Sequence, residues 1–168
     1  MDVKPDGEKA TLAAVLETSK GKIVIDLSAD ESPNTVMNFC NLTRKGYYNG
    51  MFFHRVIKDF VAQTGCPIGQ GTGGPGYSVE SEKEGAMTKH EPGTVSMSHY
   101  EKTGFTGSQF FVCLKKLPIL DAKYSILGKA ADAESLKVIE EIGKVQTDPE
   151  SDKPKTNVDL KKVSLTTK

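Results

Sequence analysis

The sequence has no tryptophan, few cysteines and no long apolar run. Its three cysteines, Cys40, Cys66 and Cys113, include no Cys-x-x-Cys pair, so neither a disulfide framework nor a zinc site is expected. Cys40 and Cys113 lie in apolar patterns and are predicted to be buried, whereas Cys66 falls in a glycine-rich loop and could be exposed. We interpret all three as chemically inert. No apolar stretch approaches the ~20 residues of a membrane span, so no membrane partner is expected.

The sequence also lacks an excess of charge of either sign. It has 22 basic and 22 acidic side chains besides three histidines, so its net charge gives no reason to expect nucleic acid as a partner. The N-terminal residues are charged and lack the apolar core of a signal peptide, which predicts a cytoplasmic protein. We expect residues 1–10 to form a flexible tail and residues 11–168 to form one domain, present as a monomer.

Short strand patterns separated by turns dominate the sequence. Residues 11–17 and 22–27 flank a Ser-Lys-Gly turn, and Ile23, Ile25 and Leu27 recur at every second position, which predicts a hairpin with one buried face. Further strands are predicted at residues 52–57, 60–64, 94–97, 109–114, 123–127 and 158–165. This pattern indicates an all-β fold, and we expect a closed antiparallel barrel.

Two separated helices are predicted beside the strands. Ser32 and Pro33 offer a hydroxyl at the N-cap and a proline at the first helical position, and Gly46 can end that helix. The second helix is predicted from about residue 133 to 142, with Asp132 as its N-cap. We expect the two helices to cover the ends of the barrel.

Several sequence patterns resemble known functional motifs but lack the features that those motifs require. The loop at residues 69–76 matches Gly-x-Gly-x-x-Gly twice, but no helix pattern follows it and Gly-Lys-Ser/Thr is absent, so a nucleotide site is disfavoured. His54, His90 and His99 lack metal-ligand spacing, and no metal is expected. His54 lies in an apolar strand and is interpreted as a core histidine with satisfied hydrogen bonds. No Ser-His-Asp set can be assembled from spacing alone.

Polar side chains are embedded in several apolar strand patterns. Alternation over residues 52–57 places Phe53, Arg55 and Ile57 on one face of a strand, with Phe52, His54 and Val56 on the other. Gln63 and Gln109 likewise stand beside apolar runs. These residues fit either ordinary strands with outward polar groups or an apolar pocket with a few directed polar groups, which is the usual form of a ligand site. The pattern alone does not choose between the two.

At these same segments the sequence resembles the cyclophilin family of peptidyl-prolyl cis-trans isomerases. The blocks that carry the resemblance, in order, are Phe53-His54-Arg55-Val56-Ile57, Phe60-Val61-Ala62-Gln63, Gly71-Thr72-Gly73-Gly74-Pro75-Gly76, Ser96-Met97, Gly107-Ser108-Gln109-Phe110-Phe111 and Leu120-Asp121-Ala122-Lys123-Tyr124. The resemblance extends from about residue 11 to the C-terminus. The short link between residues 46 and 52 is similar to that of bacterial members.

The resemblance implies a closed eight-stranded antiparallel barrel with a helix over each end and a groove on its outer face. It implies an isomerase that accelerates rotation about X-Pro bonds in peptides and folding proteins, as a folding chaperone does, with no cofactor. The implied catalytic residues are Arg55, Gln63 and Phe60. The implied substrate-binding residues are Val61, Ser98, His99, Gln109, Phe111, Ile119, Leu120 and Tyr124.

Two positions depart from the family pattern. Ile119 stands where the family often has tryptophan, so cyclosporin binding is expected to be weak. Tyr124 stands where histidine is frequent. The loop from residue 98 to 107 also differs, which leaves open a cyclophilin-like module that binds proline segments without turnover.

Overall fold

The computed structural model describes residues 10–168, so most of the predicted N-terminal tail lies outside the described residues. The described chain forms one nine-stranded sheet with two helices. The strands are β1 Leu12–Thr18, β2 Gly21–Leu27, β3 Met51–Phe52, β4 Arg55–Val56, β5 Val61–Thr64, β6 Thr94–His99, β7 Thr106–Cys113, β8 Ile126–Ala130 and β9 Asp159–Thr167. The helices are α1 Pro33–Arg44 and α2 Ala133–Gly143, and short 3₁₀ turns span Lys83–Gly85 and Pro118–Leu120.

The sheet is antiparallel throughout and follows the order β3-β9-β1-β2-β8-β6-β7-β5-β4. It curls around a core to which most strands and both helices contribute side chains. The ladder differs from the expected closed eight-stranded barrel. It has nine strands, and within residues 10–168 its two end strands, β3 and β4, are not paired with each other.

The chain is interrupted between β3 and β4, the two end strands, and this interruption leaves the sheet without a closing strand pair among the described residues. The single strand predicted at residues 52–57 is two dipeptide strands, because the chain turns away at Phe53 and His54. The N–H of Phe53 donates to the carbonyl of Val158 at 2.9 Å, and that of Val56 donates to the carbonyl of Asp152 at 2.9 Å. The predicted alternation is therefore wrong: Phe53 and Val56 both enter the core.

The N-terminal hairpin is confirmed. In the β1–β2 register Ala14 faces Ile25 and Leu16 faces Ile23, and all four side chains are buried in the core. Period-2 burial of branched side chains thus places one face of the hairpin inward, as the sequence predicts.

Helix α1 begins at Pro33 as predicted but is capped differently. Ser32 makes no side-chain cap bond, and its buried hydroxyl has no partner within the described residues. The Glu82 carboxylate caps the helix instead, accepting the N–H groups of Asn34 at 3.1 Å and Thr35 at 2.7 Å. A carboxylate also suits the positive end of the helix dipole. Gly46, at φ +69°, ends the helix in the left-handed conformation.

Helix α2 has the cap that the sequence predicts. The Asp132 side chain accepts the N–H of Ser135 at 2.7 Å, and Ile139 and Ile142 are buried in the core. The helix packs against β2. In the part of the chain that the structure covers, neither helix has the length and apolar character needed to cross a membrane.

The cysteines are all free and buried. This confirms the expectation for Cys40 and Cys113 and corrects the one for Cys66, which is 2% exposed because its loop folds back over it. Its Sγ accepts the N–H groups of Gly71 and Gly73, each at 3.3 Å. Burial raises the pKa of Cys66, but hydrogen bonds from the backbone of Gly73, Gln70, Ile68 and Gly71 together outweigh it, and the pKa is lowered.

Candidate active site

A groove with a cavity of about 1090 Å³ opens on the outer face of the sheet. Every predicted site residue lines it except Gln109 and Ile119. Those that line it are Arg55, Phe60, Val61, Gln63, Ser98, His99, Phe111, Leu120 and Tyr124. Gln109 lines an adjoining cavity of about 70 Å³, whereas Ile119 is 67% exposed and lines neither.

One end of the groove is an apolar pocket with its own small cluster of buried side chains. Val61, Phe111 and Leu120 belong to this cluster, and Phe60 and Tyr124 pack against it. The rings of Phe111 and Tyr124 meet edge to face, with centroids 5.1 Å apart and planes at 86°. Such aromatic walls hold a flat apolar ring and keep water out.

A chain of side-chain hydrogen bonds runs along the floor of the groove. Arg55 and Gln63 are opposite each other in the β4–β5 register, and Arg55 Nη1 donates to Gln63 Oε1 at 3.4 Å. Gln63 Nε2 donates to Gln109 Oε1 at 2.9 Å. Gln109 Nε2 then donates to the carbonyls of Gly71 and Gly73, each at 2.9 Å. Because a guanidinium has five N–H donors, Arg55 keeps donors for a ligand.

His54 borders this chain but is not the satisfied histidine that the sequence suggests. Neither ring nitrogen has a partner within the described residues. Burial, and next the charge of Arg55, lower the pKa of His54 to about 4. The ring is therefore neutral at neutral pH, and Arg55 carries the positive charge at this point of the groove.

His99 lines the groove next to Tyr124. Its ring stacks on Tyr124, with centroids 4.7 Å apart and planes at 19°. Burial and, to a lesser degree, the charge of Lys83 lower the pKa of His99. A neutral ring at this place extends the apolar wall toward Ser98.

The glycine-rich loop does not form a phosphate site. No helix follows it, so it lacks the helix dipole of a dinucleotide site. The N–H groups of Gly71 and Gly73 are directed at Cys66, and their carbonyls accept from Gln109 on β7. A Cβ at Gly65 would lie 2.5 Å from the carbonyl oxygen of Ser108. Over the described part of the chain, no cluster of three or more metal-ligating side chains occurs.

The structure also brings together a set that sequence reasoning missed. His90 Nδ1 lies 3.0 Å from Asp121 Oδ1, and His90 Nε2 lies 2.8 Å from Ser96 Oγ. Ser96 and His90 are 0% and 1% exposed, so substrate cannot reach this Ser-His-Asp arrangement. Their positions along the chain have no motif spacing: Ser96 lies six residues from His90, whereas Asp121 lies 31 residues away.

Comparison with known proteins identifies the family of the chain. A family model described as cyclophilin type peptidyl-prolyl cis-trans isomerase/CLD matches residues 13–165. The chain therefore belongs to this family of isomerases.

Curated relatives and a solved structure give the same result. A peptidyl-prolyl cis-trans isomerase of Helicobacter pylori is 44% identical over 142 residues, covering 84% of this chain and 86% of the relative. Peptidyl-prolyl cis-trans isomerase B of Bacillus subtilis is 48% identical over 109 residues, covering 64% and 75%. A Cryptosporidium parvum cyclophilin, crystallised in the presence of the dipeptide Ala-Pro, superimposes with a TM-score of 0.81 at 31% identity, covering 92% and 98%.

Proposed function

We propose that this isomerase accelerates X-Pro rotation by a hydrogen bond from Arg55 to the twisted prolyl amide. The observation that carries the proposal is the position of Arg55 beside an apolar pocket formed by Phe60, Phe111 and Leu120 in one groove. The substrates are proline-containing segments of peptides and folding proteins. The related Cryptosporidium cyclophilin crystallised with Ala-Pro supports this substrate class.

Rotation about an X-Pro bond breaks no covalent bond, so the reaction needs a hydrogen-bond donor and no nucleophile. Peptide resonance imposes a barrier of about 18–20 kcal/mol on rotation, and X-Pro bonds therefore isomerise slowly. In the twisted transition state the resonance is lost, and the nitrogen lone pair becomes an acceptor. A donor placed at that nitrogen binds the transition state more strongly than the planar ground state, which is the condition for catalysis.

The neighbouring groups prepare the guanidinium and the substrate for this bond. Gln63 and Gln109 link Arg55 to the loop carbonyls of Gly71 and Gly73, and this chain restricts where the guanidinium can point. The proline ring would enter the pocket against Phe60 and Phe111. A water-poor pocket strengthens the bond from Arg55, because the local dielectric is low.

Replacement of Arg55 tests the proposal. We expect Arg55→Ala to lower kcat/KM by about two to three orders of magnitude, the usual loss when one directed donor is removed from an active site. The measurement is a protease-coupled assay with a proline peptide, and circular dichroism verifies the fold. The matched control is Arg44→Ala, because Arg44 is the other arginine of the chain and lies on α1 outside the groove.

Two results would argue against the proposal. A folded Arg55→Ala variant with a nearly normal rate would remove Arg55 from the mechanism. A wild-type protein that binds proline peptides without accelerating rotation would be a binding module.

We also propose weak cyclosporin binding. Ile119 has no N–H donor on its side chain, and it projects into solvent outside the groove cavity. Ile119→Trp is expected to raise the affinity for cyclosporin in a titration, and an unchanged affinity would show that this position is irrelevant to binding.

A further inference from the structure

His90 is a buried histidine that the proposed reaction does not use, yet both of its ring nitrogens and its backbone N–H lie within hydrogen-bond distance of a partner. Its Nδ1 and its backbone N–H both contact Asp121 Oδ1, at 3.0 and 2.8 Å, and its Nε2 lies 2.8 Å from Ser96 Oγ. A carboxylate only accepts hydrogen bonds, so Nδ1 carries the proton and donates it. Anchored at both nitrogens, the ring has one orientation.

The anchored ring supports two walls of the apolar pocket from behind. It lies nearly parallel to the Phe111 ring, with centroids 6.3 Å apart and planes at 18°, and it meets Tyr124 at 6.3 Å and 71°. Both aromatic rings face the groove, whereas His90 does not line it. A change in the tilt of His90 would therefore move the surface that a proline ring contacts.

The same residue also fixes a third wall of the pocket. The N–H of Leu117 donates to the His90 carbonyl at 2.7 Å, at the start of the 3₁₀ turn Pro118–Leu120. Asp121 closes that turn by donating its N–H to the Pro118 carbonyl at 3.1 Å. Leu120, on this turn, lines the groove. His90 and Asp121 thus connect Phe111, Tyr124 and Leu120.

The arrangement resembles an acyl-transfer triad but cannot act as one. Ser96 and His90 are sealed from solvent, so no acyl donor can reach the hydroxyl. Asp121 has 20% of its side chain exposed and faces outward, with Lys89 Nζ 3.9 Å from its Oδ2. Hydrogen bonds from the backbone and side chain of His90 lower the pKa of Asp121, so the carboxylate stays ionised at neutral pH.

We propose that His90 and Asp121 are positioning residues that set the width of the proline pocket without touching the substrate. The proposal rests on the proposed function, because it takes the apolar end of the groove as the proline site. The pair has no hydrogen bond to the Arg55–Gln63–Gln109 chain among the described residues. Its loss therefore weakens binding of the proline ring and leaves the donor in place.

Substitutions of Asp121 test the proposal by separating KM from kcat. Asp121→Ala leaves the buried N–H groups of His90 without an acceptor, and we expect KM for a proline peptide to rise about tenfold while kcat changes less than about threefold. Asp121→Asn retains an oxygen that can accept both N–H groups, so we expect it to restore KM to within about twofold of wild type. His90→Ala is expected to match Asp121→Ala.

The control is Glu91→Ala, which removes a neighbouring surface carboxylate whose ion pair is with Lys116, at 3.0 Å. We expect it to leave both constants unchanged. Circular dichroism and thermal melting verify the fold of each variant. If His90→Ala does not fold, the two Asp121 variants decide the matter alone.

The possible outcomes distinguish a failure of the positioning role from a failure of the proposed function. An unchanged KM in folded Asp121→Ala, or a fall in kcat at constant KM, would overturn the positioning role. The dissociation constant of the peptide, measured by titration, gives the same comparison without turnover. A wild-type protein that binds the peptide but does not accelerate rotation would contradict the proposed function, whereas a tenfold weaker binding by Asp121→Ala would still support the positioning role.

Discussion

At the scale of single residues, His54 makes the free energy of unfolding depend on pH. Its pKa is lowered from 6.5 to about 4, first by burial and next by the charge of Arg55. Between these two values the unfolded chain takes up a proton that the folded protein does not. The free energy of unfolding therefore falls as the pH drops from 6.5 to 4, by at most about 3 kcal/mol from this group.

The neutral variant His54→Gln tests this coupling. We expect its free energy of unfolding to fall less than that of the wild type between pH 6.5 and 4, because glutamine does not titrate. Urea unfolding at a series of pH values measures the difference. Parallel curves for the two proteins would show that His54 is protonated equally in both states.

At the residue level, the sequence correctly predicted that side chains close together along the chain would meet in one groove. Arg55 and Gln63 are separated by one tight turn, and a polar group inside an apolar strand pattern marks each of them. Their convergence on one groove with Phe111 is seen in the structure, while their catalytic roles stay predictions. The set of His90, Ser96 and Asp121 was not predictable, because its positions match no motif spacing and Asp121 lies 31 residues from His90 along the chain. The unpartnered nitrogens of His54 likewise depend on its surroundings in three dimensions.

At the scale of elements, helix α1 depends on a residue far away in the chain. Glu82 supplies the acceptor for the N–H groups of Asn34 and Thr35, so the loop before the 3₁₀ turn Lys83–Gly85 holds the start of the helix. We expect Glu82→Ala to lower the free energy of unfolding by about 1 kcal/mol, the usual cost of a lost helix cap. Urea unfolding measures the change.

The control for this prediction is Glu84→Ala. Glu84 is an exposed residue two positions further on, and it does not contribute to the cap of α1. Equal stability of the two variants would mean that water caps α1 as well as Glu82 does. A smaller loss for Glu82→Gln, which keeps one acceptor, would support the capping role.

Element prediction from sequence was accurate for local signals and weaker for tertiary ones. The cap of α2 was predictable because Asp132 and Ser135 are three residues apart. The cap of α1 was not, since Glu82 lies 47 residues from Thr35 along the chain. The break of the strand at residues 52–57 also depends on a distant partner, the segment containing Asp152 and Val158. Strand propensity describes local preference only, so it does not reveal that a distant segment pairs with the backbone N–H groups of this strand.

At the scale of the whole molecule, the two hydrophobic clusters share strands and are expected to unfold together. The main core and the pocket cluster both take side chains from β5 and β7. A domain of this size with one continuous sheet usually unfolds in a single transition. We therefore expect isomerase activity and far-ultraviolet circular dichroism to be lost at the same urea concentration.

Loss of activity and loss of the circular dichroism signal at different urea concentrations would contradict this expectation. If activity disappeared well before the circular dichroism signal, the pocket cluster would be a separately unfolding unit. The monomeric state and the cytoplasmic location stay predictions from the sequence.

Strand β7 assigns neighbouring residues to different tasks. Phe110 and Val112 point into the main core, whereas Phe111 and Cys113 belong to the pocket cluster on the opposite face. Alternate positions of one strand therefore serve two clusters, so a substitution at Phe111 changes the pocket cluster while Phe110 and Val112 keep their places in the main core.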